Sequence, residues 1–150
     1  MILTPTELLA MGLNISTEIP QTKVAAAIEE AELSILKPAI GDTNYIALLG
    51  MQSNDPAIAG GQYTKADGTV VFLAGVKKAA AYLAFACLLR HNISATVFGS
   101  VQKTDEHSQN ADPWEWCRYN FQVGASYLRE VAAALGWKAN LGDTYFAWNC

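Results

Sequence analysis

The run Ala79–Leu89 constrains this chain more than any other feature. It holds 11 residues without a charge, closed in by Lys77 and Lys78 on one side and Arg90 on the other. A membrane-spanning helix needs ~20 apolar residues, so the run is too short to cross a bilayer. It is also too apolar to face water along its whole length. The pattern predicts a long helix from about Leu73 to Arg90, with Val76, Ala80, Leu83 and Cys87 on its core face and many alanines permitting close approach of neighbours. A chain of 150 residues has room for one such core and reads as a single domain.

The remaining elements are expected around that helix. Thr4, Pro5 and Glu7 form a capping-box pattern for a short first helix, stopped by Gly12 and Asn14. A second helix starts at Ile19-Pro20, with Val24, Ile28, Ala31 and Ile35 on one face and Glu29, Glu30 and Glu32 largely on the other. Lys37-Pro38 ends or kinks it, since proline clashes with the preceding turn. Asp42 is placed to cap a short helix containing Tyr45, Ile46, Leu48 and Leu49. Residues 50–61, with Gly50, Pro56, Gly60 and Gly61, read as loop. Asp67-Gly68 signals a type I′ hairpin between Gln62-Tyr63-Thr64 and Thr69-Val70-Val71-Phe72. Residues 92–111 are polar and irregular, apart from the strand-like Ser94–Val101. Asp112, Pro113 and Glu115 open a last helix that carries Trp114, Cys117, Phe121, Leu128 and Leu135 and ends at Gly136. The fold class expected is mainly α: a single-domain bundle of four to five helices with a small β-hairpin. Residues 1–136 are expected to form the helical domain and residues 137–150 an aromatic tail, a candidate interaction segment.

Charge narrows the function classes. Only 16% of residues are charged while 51% are hydrophobic, against about 25% charged in an average soluble domain. Such a shortage suggests that part of the surface meets protein. The net charge is −4, with −5 in residues 1–75 and +1 in residues 76–150. No lysine or arginine cluster of the kind that grips nucleic-acid phosphates is present. The N-terminus lacks the basic and apolar regions of a signal peptide. Cys87, Cys117 and Cys150 are odd in number and widely spaced, which fits a reducing compartment better than a disulfide framework. The chain therefore reads as intracellular, and the sequons at Asn14 and Asn92 as chance matches.

Chemistry is sparse. Cys87 and His91, four apart on one helix, could join His107 and Cys117 around zinc, but no close Cys or His pair accompanies them. Two core cysteines and two surface histidines are the simpler reading. Cys117 with His107 makes no specific nucleophile pair, and nucleophile-elbow, Walker and dinucleotide motifs are absent. No enzyme, catalytic residue, metal or cofactor is expected. A helical ligand-binding or regulatory module, with an apolar pocket lined by Tyr82, Phe85 and Phe121, is the alternative to an assembly protein. Tyr145, Phe146 and Trp148 in the tail either fold back or dock on a neighbour.

Two segments resemble a known family. The first joins Ile28-Glu29-Glu30-Ala31-Glu32, Leu36-Lys37-Pro38-Ala39-Ile40-Gly41 and Tyr45–Leu49. The second joins Lys77–Asn92 to Thr96-Val97-Phe98-Gly99-Ser100-Val101-Gln102-Lys103-Thr104-Asp105. Together they resemble the head–tail connector, or adaptor, proteins of tailed phages and prophages, in the branch found with Bacteroides-type hosts, over Ala25–Leu135. That resemblance implies a structural protein with these partners: copies of itself in a homo-oligomeric ring, for which a dodecamer is one arrangement, the portal protein and a tail-completion protein. DNA would pass through the lumen without being specifically bound, and no membrane is involved. The implied location is the bacterial host cytoplasm during assembly and then the virion. Phe98, Gly99, Val101, Lys103 and Asp105, with Tyr145, Phe146 and Trp148, are the interface candidates.

Overall fold

The computed structural model describes residues 1–91 and 113–142. Its helices are α1 (Pro5–Ala10), α2 (Gln21–Glu30), a π-helical segment (Ala31–Leu36), α3 (Lys37–Ile40), α4 (Asp42–Gly50), α5 (Pro56–Ala59), α6 (Val76–Arg90) and α7 (Pro113–Ala134). Strands β1 (Gly61–Thr64) and β2 (Val70–Leu73) form a two-stranded antiparallel sheet. The mainly helical architecture with a small β element is the one expected.

The centre is α6. Of its residues, Val76, Ala79–Ala81 and Leu83–Leu89 are all buried, so the helix is covered nearly all round rather than along one face. A helix apolar on every side has nowhere stable to sit but the interior. Its strongest packing is on α7, then on α2, with the π segment and α5 also against it. Close approach to α7 depends on Gly124: a Cβ there would stand 2.8 Å from Leu83 Cγ and 2.9 Å from the Ala79 carbonyl oxygen. The helix begins at Val76, not Leu73, because Leu73 is the last residue of β2 and Gly75 turns the chain at φ 92°. Gly75 is also packed so tightly that a Cβ would fall 2.5 Å from Gly60 N.

Pro38 does not end the second helix. Across Ala31–Leu36 the backbone widens into a π turn, with the Lys37 N–H reaching the Glu32 carbonyl five residues back. Proline has no N–H to place in the ladder, and the wider turn relieves its ring against the preceding residues. The helix then continues to Ile40, and Gly41 at φ 87° breaks it.

Local signals account for the smaller elements. Thr4 and Glu7 form the expected capping box: the Glu7 N–H donates to Thr4 Oγ1 at 3.2 Å, and the Thr4 N–H donates to Glu7 Oε2 at 2.9 Å. The segment read as loop over residues 50–61 contains one helical turn, because Asp55 accepts from the Ala57 N–H at 2.8 Å and Pro56 takes the first position. The hairpin register pairs Gly61 with Leu73 and Thr64 with Val70. Its turn is not type I′. The Gly68 N–H closes on the Lys65 carbonyl at 3.0 Å, and the Lys65 N–H donates to the Thr69 carbonyl at 2.8 Å. Inside the Lys65–Thr69 pair the turn therefore has three residues, with Gly68 at φ 86° in the bulge position. α7 opens at Pro113 as expected, while its expected cap, Asp112, lies outside the described residues. Gly136 ends it in a Schellman motif, with the Trp137 N–H on the Ala132 carbonyl at 2.7 Å.

Candidate interaction surface

Every interface candidate from the sequence falls in two segments. Phe98, Gly99, Val101, Lys103 and Asp105, and likewise Tyr145, Phe146 and Trp148, lie outside the described residues, as does His107. The start of the tail is described. The Asn140 N–H donates to the Ala39 carbonyl at 2.8 Å, Arg129 Nη2 donates to the Leu141 carbonyl at 2.9 Å, and Leu141 is buried. Residues 137–142 thus fold back onto α3 and α7.

A buried carboxylate that the helical pattern assigned to the wet face organises the other end of the molecule. Glu32 is 0% exposed. The Ile2 N–H donates to both its oxygens at 2.9 and 3.1 Å, the Leu3 N–H donates at 2.9 Å, and the Tyr45 hydroxyl donates at 3.0 Å. Its placement on the solvated side is therefore corrected. Glu32 lies four residues after Ile28 and eight after Val24, both buried, so the helical step itself carries it inward. Of its acidic neighbours, Glu29 is exposed and Glu30 half-buried. Burial, with Glu32 alongside, pushes the Tyr45 phenol up to about 12. The N-terminal segment is thereby fastened to α4 through the π segment.

This fastening borders a cleft of about 260 Å³ walled by Met1, Ile2, Glu7, Leu49, Met51 and Lys77, among others. Lys77 Nζ donates to Glu7 Oε1 at 2.5 Å and holds that carboxyl below the usual range. Of its lining, Met1 and Leu49 are exposed apolar residues, and Ile46 (67% exposed) stands one turn before Leu49 on α4. Ile46 and Leu49 are three apart on α4 and share its outer face. The hairpin supplies the second apolar surface. Tyr63 and Val71 pack inward on the core, while Val70 (59% exposed) and Phe72 (74%) face water beside exposed Gln62 and Thr64.

The cysteine and histidine constellation has other employment. Cys87 is buried in the core, and burial pushes its thiol up to about 12, which makes it a poor nucleophile or ligand at neutral pH. His91 follows the end of α6, where Glu30 accepts from its ring at 2.8 Å and pairs with Arg90. Burial first, then Arg90, lowers its pKa. Cys117 is buried with Sγ 3.3 Å from the Ala86 carbonyl oxygen, and it is disulfide-bonded, so the expectation of reduced cysteines fails there. Among the described residues no three His, Cys, Asp or Glu side chains stand close enough to hold a metal ion. Phe85 and Phe121 are packed in the core, and Tyr82 meets Tyr127 edge-on at 5.7 Å. No helix of the described residues is long and apolar enough to cross a membrane.

A family model matches residues 36–149, more than two thirds of the sequence. The chain belongs to DUF6712, a family of unknown function. No curated protein and no solved structure matches it. In this DUF6712 chain the matched region begins at Leu36 and takes in α4, the hairpin, α6 and α7, and so includes Ile46, Leu49 and the exposed hairpin face. The first two helices and Glu32 precede it. Sequence reasoning missed Glu32, Ile46 and Phe72 as surface or latch residues; the four-residue step from Ile28 could have found Glu32, whereas β2 is apolar at all four positions and gives no sign of which face meets water.

Proposed function

We propose that this chain is a non-catalytic head–tail connector subunit of a tailed phage or prophage, forming a ring between portal and tail through which DNA passes. The observation that carries this reading is the place in the fold of the segment that resembles connector proteins. Glu32, Leu36, Ile40 and Tyr45 are all buried in one elbow of the structure, with Tyr45 bonded to Glu32. The resembling residues are thus the ones that set the shape of a helical building block. Apolar surface on two separate elements, α4 and the hairpin, suits a subunit that meets unlike neighbours on its two flanks. Weak basic character suits a lumen that lets phosphates pass.

The test is mixing purified protein with portal rings from the same genome and imaging the product. The expected result is an added ring with the symmetry of the portal. A chain missing from assembled particles, or a locus without portal and capsid genes, overturns the reading.

A further inference from the structure

We infer that Cys117 pairs with Cys150 of the same chain, and that this disulfide is a redox-operated latch on the aromatic segment before Cys150. Cys117 is disulfide-bonded. The chain has three cysteines, and Cys87 keeps a free thiol inside the core. Cys150, which lies outside the described residues, is the sulfur left to pair. Position agrees with elimination. Gly136 reverses the chain after α7, and the Leu141 carbonyl is already back beside Arg129. Asn140, Leu141 and Gly142 then line a cavity of about 160 Å³ together with Phe121, so the tail is heading for the N-terminal end of α7. Phe121 lies one turn after Cys117, and both are buried on the inward face of that helix. The rise between them is about 6 Å. Residues 143–150 can span roughly 26–29 Å, more than enough to reach Cys117.

The site serves both redox states. Cys117 Sγ stands 3.3 Å from the Ala86 carbonyl oxygen. A reduced thiol donates there, so opening the bond strands no buried donor. Among the described residues, the tail is held by the Asn140 and Arg129 hydrogen bonds and by buried Leu141, all before residue 143. The bond therefore decides whether Tyr145, Phe146 and Trp148 stay in a loop closed on their own chain or are released from it. Opening is thiol–disulfide exchange with a dithiol. Its thiolate attacks one sulfur, and its second thiol resolves the mixed disulfide. Two electrons and two protons end on Cys117 and Cys150 as the dithiol becomes a disulfide. Oxidised glutathione reverses the step through a mixed disulfide and leaves as two thiols. Reducing surroundings open the latch and oxidising ones close it. The inference does not depend on the connector reading, and its tests leave that reading untouched.

The first test equilibrates the full chain with oxidised glutathione, alkylates it in denaturant and cuts it with trypsin without reductant. The expected product joins residues 104–118 to the peptide that begins at Ala139, with Cys87 alkylated. Cys117 and Cys150 alkylated or carrying glutathione, or a link to Cys87, overturns the pairing. An equal mixture of isotope-labelled and unlabelled protein, oxidised together, should give linked peptides of one label only. Linkage across labels puts the bond between copies and overturns the latch. The second test uses chymotrypsin, which cuts after Tyr145, Phe146 and Trp148. Reduction with dithiothreitol, or Cys150→Ser in either redox state, is expected to speed these cuts at least about tenfold, with α6 and α7 left uncut. Equal rates in the oxidised, reduced and Cys150→Ser forms overturn the proposal. So does cutting throughout the chain on reduction, which would make the bond a structural staple.

Discussion

Glu32 lies in the interior, and the three groups bonded to it, two backbone N–H groups and a phenol, are all donors. Leaving a buried donor without its acceptor costs about 1–3 kcal/mol. Glu32→Ala strands all three and is expected to lower unfolding stability by about 3 kcal/mol in urea titrations. Glu32→Gln keeps an oxygen for Ile2 and Leu3 and an amide for the Tyr45 oxygen, so a loss of about half that is expected. Equal losses in the two variants would mean that volume, not hydrogen bonding, matters here. The phenol adds a test in alkali. Its folded pKa, about 12, lies above the ordinary value near 10, so the folded state favours the protonated form. The stabilisation is complete below pH 10 and drains away as pH rises from about 10 to 12. Tyr45→Phe should be less stable at neutral pH and should lose less between those two values, as read by the denaturation midpoint at each pH.

At the scale of elements, the contact of α6 with α7 decides how tightly the core closes. An alanine at Gly124 would gain about 1 kcal/mol of helix propensity. Its Cβ, however, would stand 2.9 Å from the backbone oxygen of Ala79 as well as 2.8 Å from Leu83. Backbone cannot step aside as a side chain can, so the helices must separate, at a cost of about 1–3 kcal/mol. Gly124→Ala is therefore expected to be destabilising on balance, by up to about 2 kcal/mol, with a lower thermal midpoint; a raised midpoint would show that α7 can slide. The same contact shows where sequence reading runs out. The box of Thr4 with Glu7, the stop at Gly136 and the position of the hairpin were legible, because each is settled by neighbours within a few residues. Burial of α6 on every side, the π turn before Pro38 and the inward turn of Glu32 were not, because each depends on what packs against the helix from elsewhere. The candidate surface divides the same way. The β-branched and aromatic run Val70-Val71-Phe72 announces a strand, but which face meets water depends on where α6 and α7 lie.

For the whole molecule the question is what force holds copies together. Among the described residues, exposed apolar side chains include Met1 and Leu49 at the cleft, Ile46 on α4, and Val70 and Phe72 on the hairpin. Charges are few, and the pairs Glu7–Lys77 and Glu30–Arg90 are satisfied within one chain. Contacts between opposite charges weaken as salt rises, since the screening length falls from about 30 Å at 0.01 M to about 3 Å at 1 M. Apolar contacts and backbone hydrogen bonds hold or strengthen. Self-association is therefore expected to change less than about threefold between roughly 0.05 and 0.5 M sodium chloride, measured by sedimentation equilibrium. DNA gives the opposite control. A protein that neutralises six to ten phosphates loses about 10³–10⁵ in affinity over a fourfold rise in salt. With a net charge of −4 this chain should bind duplex DNA more weakly than about 10⁻⁴ M at physiological salt. Association that collapsed as salt rose would place the contact on ion pairs rather than on exposed apolar side chains. Tight, salt-sensitive DNA binding would mean that the channel wall grips its cargo, which a conduit for DNA cannot do and still let it pass.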